Sequence, residues 1–195
     1  MRLGSLDMML LRKCPCPVLI LKPARKIQHS RILAAVDLTL LPQDTDNLDR
    51  RILDLASAQS HLEEADLHIV HSWSLPYEKM LEGEARIQFY KTVPQMRREL
   101  RRVEKKHLDE ITRLYGDFQP RVHMLNGAAE KVIPAFAAKH SIDLIVMGTL
   151  ARTGVEGVLI GNTAEKILGK LDCSVLALKP AGFVSPIKLE QGSTT

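Results

Sequence analysis

The stretch that decides the fold is residues 142–180, IDLIVMGTLARTGVEGVLIGNTAEKILGKLDCSVLALKP. Its pattern predicts a strand, a loop, a helix and a second strand. The short apolar run Ile142–Met147 ends at Gly148, which is typical of a buried parallel strand. A helix follows with Asn162 or Thr163 as its N-cap, because apolar residues then recur at helical spacing. Val175–Leu178 forms the closing strand.

This arrangement is able to bind an anion. A glycine at a strand end, such as Gly148, lets the backbone approach a ligand closely. The free N–H groups at the start of the next helix point into the same crevice, where the helix dipole favours negative charge. Ligands of open parallel sheets bind at the carboxyl ends of the strands. Nucleotide phosphates are therefore candidates, although the spacing alone slightly favours a plain βαβ connection without a ligand.

The pattern Gly148-x2-Ala151-x9-Gly161-Asn162 resembles the G-x2-G-x9-G-(S/T/N) nucleotide motif of the universal stress protein family. The stretch GNTAEKILGKLDCSVLALKPAGFVSP is similar to the second half of the tandem, two-domain members of that family. Ala151 stands where nucleotide-binding members have a second glycine, and Asn162 stands at the serine or threonine position. If residue 151 requires a positive φ, alanine costs about 1–2 kcal/mol there.

An internal repeat links the two ends of the chain. Leu3–Pro23 aligns without gaps on Ile160–Pro180, with identical residues at Gly4, Leu11, Lys13, Cys16, Val18, Leu19, Leu21, Lys22 and Pro23. We interpret residues 1–23 as the last helix and last strand of a first domain, residues 24–30 as a linker, residues 31–180 as a complete domain and residues 181–195 as a tail. A strand without its own sheet needs an edge to pair with. The family resemblance implies that Val18–Leu21 pairs antiparallel with Val175–Leu178, in a pseudo-dimer or a homodimer.

Composition narrows the class of protein. The chain has 195 residues, of which 45% are hydrophobic and 26% charged, so it can bury a sizeable core. A net charge of +4 does not by itself indicate a nucleic-acid partner. No stretch approaches the ~20 apolar residues of a membrane span, and no export signal is evident, which favours the cytoplasm. The three cysteines, Cys14, Cys16 and Cys173, are interpreted as small buried residues beside strands.

The rest of the chain alternates strands and helices. Strands are predicted at Ile32–Val36, Leu67–Trp73 and Arg121–Leu125, and helices at Leu48–His61, 77–115 and Ala129–His140, with Pro94 breaking or kinking the long one. This alternation predicts an α/β fold with an open, five-stranded parallel sheet and helices on both faces. The resemblance implies a Rossmann-like sheet of the adenine-nucleotide alpha-hydrolase type, in strand order 3-2-1-4-5 with a switch point between strands 1 and 4.

The resemblance also implies the site residues. Asp37 corresponds to the family's aspartate beside the nucleotide base, where it would accept a hydrogen bond from an adenine amino group. Further positions match the base side (Ala35 and Ser72), the ribose and phosphate side (Met147, Gly148, Ala151, Gly161, Asn162, Thr163 and Ala164) and a turn facing the pocket (Gly127). An Asp that caps a loop at a strand end is the alternative interpretation of Asp37.

Other chemistries find less support in the sequence. There is no G-x-x-x-x-G-K-[ST] and no G-x-G-x-x-G motif. His68 and His71 would face opposite sides of a strand, so they do not readily share one metal ion. The family resemblance implies that His71 is structural. The basic residues of 97–106 are interleaved with Glu99 and Glu104, which indicates a solvated helix whose core-facing residues are Leu100, Val103, Leu108 and Ile111.

These observations support a first hypothesis and leave two alternatives. The first is a cytoplasmic, universal-stress-type regulatory protein that binds ATP, ADP or AMP, with Mg²⁺ accompanying the phosphates and little or no catalysis. The second is a dimerisation or partner-docking module with a degenerate pocket, motivated by Ala151, Asn162 and the unpaired strand near the N-terminus. A true ATPase is a third and weaker alternative, because no general base stands out.

Overall fold

A computed structural model describes residues 4–22, 28–37, 48–73, 83–149 and 160–187. Its elements in chain order are α1 (Ser5–Lys13), β1 (Val18–Ile20), β2 (Arg31–Ala35), α2 (Leu48–Glu63), β3 (Asp66–Trp73), α3 (Gly83–Tyr115), β4 (Arg121–Asn126), α4 (Ala129–Lys139), β5 (Leu144–Gly148), α5 (Asn162–Leu168) and β6 (Ser174–Leu178). A short 3₁₀ turn, Gly116–Phe118, follows α3. None of the helices in these ranges has an apolar stretch long enough to span a bilayer.

The sheet has six strands in the order β1-β6-β5-β2-β3-β4. Strands β2 to β6 are parallel to one another. When β2 is counted as the first strand of the domain, their order is the predicted 3-2-1-4-5. The predicted sheet of five parallel strands is nevertheless wrong in one respect, because β1 joins it as a sixth, antiparallel edge strand. That strand ends at Ile20, one residue short of the predicted Leu21.

The pairing of β1 with β6 follows the internal repeat. Leu19 lies opposite Leu176, the residue with which it aligns in the repeat, and Val18 and Ile20 lie opposite Ala177 and Val175. The two copies are therefore related by a local pseudo-twofold axis through the Leu19–Leu176 pair. The predicted antiparallel pairing is confirmed within this one chain.

Two equivalent lysines extend the same pseudosymmetry. Lys22 donates from Nζ to the carbonyl oxygen of Leu171 at 3.3 Å, and Lys179 donates to that of Arg12 at 3.4 Å. Each lysine thus contacts backbone near the C-terminal end of the other copy's helix, where the helix dipole favours a cation. Burial lowers the pKa of Lys179 to about 8, against a smaller opposing effect of Cys14. These contacts tie the N-terminal segment to the domain.

Alternate residues of the strands build two cores, one on each face of the sheet. On one face, Leu33, Val70 and Ile145 pack with residues of α1, α4 and α5. On the other face, Ile32, Ile69 and Leu144 pack with residues of α2 and α3. The helices therefore cover both faces, as predicted. Continuous apolar strands are what a sheet buried on both faces requires.

Some local predictions are wrong. Helix α3 continues through Pro94, so the prediction of a break there is wrong, whereas a kink stays a prediction. Val103 is 40% exposed, whereas Ile111 is buried as predicted; the side chains of Leu100 and Leu108 lie outside those described. Cys173 is buried as expected, but Cys14 is only half-buried and Cys16 is exposed.

A polar contact links the C-terminal end of α3 to α2. The hydroxyl of Tyr115 donates to Oδ1 of Asp54 at 2.6 Å, and Tyr115 is only 6% exposed. Burial, together with the neighbouring Asp54 carboxylate, raises the pKa of this phenol, so it remains a donor over the whole physiological range.

We expect Tyr115→Phe to lower the free energy of unfolding by about 1–2 kcal/mol, because a hydrogen bond to a carboxylate is lost. Urea denaturation of Tyr115→Phe, Asp54→Ala and the double variant measures the coupling between the two side chains. A coupling energy of about zero would contradict a contribution of this bond to stability.

Candidate functional site

A crevice of ≈ 530 Å³ lies at the carboxyl ends of β2, β3 and β5, and α2, α4 and α5 form its walls. Nine of the predicted site residues line it: Ala35, Asp37, Ser72, Met147, Gly148, Gly161, Asn162, Thr163 and Ala164. The position is the one that strand order dictates, because the connections on either side of β2 diverge there.

Of the other two predicted residues, only Gly127 can be compared with the crevice, which it does not line. Ala151 lies outside the described residues. Gly127 follows β4 with a φ of +133°, and its N–H donates to the carbonyl oxygen of Trp73 at 2.7 Å. A Cβ at this position would lie 2.7 Å from Cγ1 of Val132. The glycine at 127 is therefore explained by backbone conformation and by the packing of α4.

The end of the crevice beside β2 and α2 holds a pair of carboxylates, Asp37 and Asp49. The N–H of Asp37 donates to Oδ1 of Asp49 at 3.0 Å, and Asp49 lies in the first turn of α2, only 5% exposed. This bond fixes the backbone of Asp37 at the end of β2. The Asp37 side chain is 56% exposed and so remains accessible from the crevice.

His71 lines the same end of the crevice. Its Nδ1 lies 3.3 Å from the carbonyl oxygen of Val36 and 3.7 Å from Oδ1 of Asp37. The expectation of a structural histidine accounts for the first contact, but not for the position of the ring beside Asp37. Sequence reasoning also missed Asp49, although a carboxylate in the first turn of a helix that begins at the strand ends is a usable signal.

The glycine at 148 has a structural reason. A Cβ at this position would lie 2.7 Å from Cδ2 of Leu48, the first residue of α2. The space beside the end of β5 is therefore filled by α2. Packing against α2 explains the glycine at 148 as well as the close approach of a ligand to the backbone does. Leu48 itself lines the crevice and contributes to its apolar wall.

The opposite end of the crevice is formed by the start of α5. The N-cap is Gly161, with extended backbone, so the prediction of Asn162 or Thr163 as N-cap is wrong by one or two residues. As a result, both polar side chains lie in the first turn and are exposed, whereas Ala164 is buried. Glu165 of the same turn pairs with Arg12 of α1 at 2.6 Å.

Hydrogen bonds hold both ends of the segment 150–159. Thr149 is fully buried, and its N–H donates to the carbonyl oxygen of Leu178 at 3.0 Å. The N–H of Gly161 donates to the carbonyl oxygen of Thr149 at 2.7 Å. Thr149 and Gly161, which flank the segment that contains Ala151, are thus bonded to each other, and both line the crevice.

The parallel sheet, its switch point and the crevice at the strand ends define a doubly wound α/β protein, the class in which ligands bind at such a crevice. The model of the universal stress protein family matches residues 29–179. The chain belongs to the universal stress protein family.

Individual relatives agree with this assignment. A universal stress protein E homolog of Haemophilus influenzae is 29% identical over 182 residues, which are 90% of this chain and 56% of the relative. A functionally unknown protein of Pseudomonas aeruginosa PAO1 is 34% identical, with a TM-score of 0.68 over 92% of this chain and 57% of that one. A universal stress protein solved in complex with cAMP is 14% identical and shares the fold, with a TM-score of 0.50 over 77% of this chain and 97% of that one. The chain thus spans less than three fifths of the length of the first two.

We expect Gly127→Ala to destabilise the protein by about 1–3 kcal/mol, because alanine is strained at this φ and its methyl group would overlap Val132. Gly116→Ala is the matched control, since no atom lies within 4 Å of a Cβ added there and its φ is not in the positive range. Thermal or urea unfolding compares the two variants. Equal stability of both would show that position 127 does not require glycine.

Proposed function

We propose that this protein binds an adenine nucleotide in the crevice at the ends of β2, β3 and β5 and acts as a regulatory module, with little or no catalysis. The observation that carries the proposal is the convergence on one crevice of ≈ 530 Å³ of nine residues that match binding-site positions of the family. That volume lies in the range typical of small-molecule sites.

The base end of the crevice suits adenine. Asp37 offers an exposed carboxylate as acceptor for the exocyclic amino group, and the bond from its N–H to Asp49 holds it in place. The side chains of Met147 and Ile133 contribute apolar surface against which a base can pack. A phosphate group would be disfavoured there, because Asp37 and Asp49 are both acidic.

The phosphates would therefore lie towards the start of α5. Asn162 and Thr163 offer exposed side-chain oxygens and N–H donors at that end. No group of three or more candidate metal ligands is found within the described ranges. Mg²⁺ would accordingly be held mainly by the phosphates, with Asn162 or Thr163 as supplementary oxygen ligands, and would neutralise phosphate charge.

The fold relative solved with cAMP supports the ligand class, because cAMP is itself an adenine nucleotide. We further propose that α1 and β1 correspond to the last helix and strand of a preceding domain, and residues 31–180 to a complete one. The internal repeat and the coverage of only 56–57% of longer relatives support this correspondence.

We expect ATP, ADP or AMP to bind saturably in isothermal titration calorimetry, and Gly161→Glu to weaken binding at least about tenfold by placing a carboxylate at the phosphate end. Gly169→Glu is the matched control, because it adds the same charge at the other end of α5, where only ordinary contacts meet a Cβ. Absence of saturable binding at millimolar concentrations of all three nucleotides would refute the proposal.

A second candidate function is a dimerisation or docking module with a degenerate pocket. Exposed apolar side chains on the N-terminal segment favour it: Leu6 is 62% exposed, Leu19 48% and Leu21 59%. Apolar groups clustered at a sheet edge are typical of contact surfaces.

This candidate predicts a concentration-dependent dimer in sedimentation velocity, which Leu19→Lys weakens without changing nucleotide affinity. The lysine charge would be desolvated at a contact through this edge. A dimer of unchanged stability in Leu19→Lys, or a monomer at all concentrations, would count against the contact.

A further inference from the structure

A cluster of three histidines lies on the sheet face that α4 covers, away from His71. Nδ1 of His68 on β3 lies 3.0 Å from Nε2 of His123 on β4. Their ring planes differ by 11° and their centroids are 5.2 Å apart, so the rings lie end to end and share one hydrogen bond. His140, at the C-terminal end of α4, lies 6.0 and 5.8 Å from the two rings.

His68 is buried, and one of its ring nitrogens has no acceptor nearby in the described structure. His68 is 3% exposed, and its Nε2 has no hydrogen-bond partner among the described residues. Phe136 of α4 lies against the cluster, with its centroid 4.6 Å from His123 and 4.1 Å from His140. The neutral pair is best satisfied when Nδ1–H of His68 donates to Nε2 of His123, since Nε2 of His68 then carries no proton that needs an acceptor.

An additional proton on the His68–His123 pair creates a buried N–H group that lacks an acceptor. If His68 takes the proton, its Nε2 becomes a buried N–H. If His123 takes it at Nε2, His68 must accept the shared hydrogen bond through Nδ1 and again carries its own proton on Nε2. Both routes place an N–H at an atom without an acceptor in the described structure, and a buried unsatisfied donor is costly.

The charged groups around the cluster add to the free-energy cost of protonating the pair. From β4, Arg121 faces it, paired with Asp66 of β3 at 3.4 Å, and from α4 the titratable neighbour is His140. Burial, with His123 and Arg121, lowers the pKa of His68 to about 4, against a smaller effect of Asp66. Burial, with His140 and Arg121, also lowers the pKa of His123. Because the unfolded pKa of histidine is about 6.5, the folded form binds fewer protons and loses stability as the pH falls from about 6.5 towards 4.

We propose that the buried pair of His68 and His123, covered by Phe136 and His140 of α4, forms an acid-sensitive latch that holds α4 on the sheet when the pair is neutral and releases α4 when the pair takes up a proton. Helix α4 also contributes Ala129 and Ile133 to the wall of the crevice. Release of the helix would therefore open that wall, whatever ligand the crevice binds.

Hydrogen exchange of the ligand-free protein tests the latch. Between about pH 7.5 and pH 5, and after correction for intrinsic exchange rates, opening of α4 should increase relative to opening of α2 by up to about tenfold per pH unit for each proton taken up. His123→Gln keeps an acceptor for His68 but removes one titrating ring, so the pH dependence should fall by about half. His61 is an exposed histidine of α2, so His61→Gln is the matched control and should leave the pH dependence of α4 opening unchanged.

A second measurement needs no variant. Among the seven histidines, NMR titration of the wild-type imidazoles should reveal two that stay neutral well below the ordinary midpoint. Equal protection of α4 and α2 at both pH values, or seven ordinary titrations, would overturn the proposal. The test contains no nucleotide, so its failure is distinct from a failure of nucleotide binding.

Discussion

The pairing of β2 with both β3 and β5 is the constraint on which the rest of the structure depends. Ile32 lies opposite Leu67 on one side and Leu144 on the other, so the first strand of the domain stands at the centre of the sheet. The chain passes from β2 to β3 on one side of it and later returns to form β5 on the other side. The two connections diverge, and the crevice is the space that they leave at the ends of the strands.

The N-terminal segment covers the edge of the sheet at β6. Without β1, the backbone of β6 would present unpaired donors and acceptors to solvent. The repeated sequence provides a strand that pairs with its own copy about the Leu19–Leu176 pair, and Lys22 and Lys179 reinforce the pairing from both sides. The edge is thereby moved outwards to β1, and the exposed Leu19 of this strand, with Leu21 just after it, accounts for the apolar surface there.

The sequence predicted the features that depend on local pattern and on the family motif. The alternation of elements predicted the five strands of the domain. The repeat and the family resemblance together predicted the pairing of β1, and the resemblance predicted nine residues that line one crevice. Features that depend on contacts between distant elements were missed. The histidine cluster requires the register that sets β4 beside β3, and the bond from Asp37 to Asp49 requires the position of α2. Gly148 likewise needs Leu48 for its explanation, since no local pattern predicts which helix fills that space.

A crystal structure grown with millimolar ATP and Mg²⁺ tests the central claim most directly. The account predicts the adenine amino group within hydrogen-bond distance of the Asp37 carboxylate and the phosphates beside the first turn of α5. A nucleotide bound at any other surface, or bound in the crevice with its phosphates against Asp37 and Asp49, would contradict it.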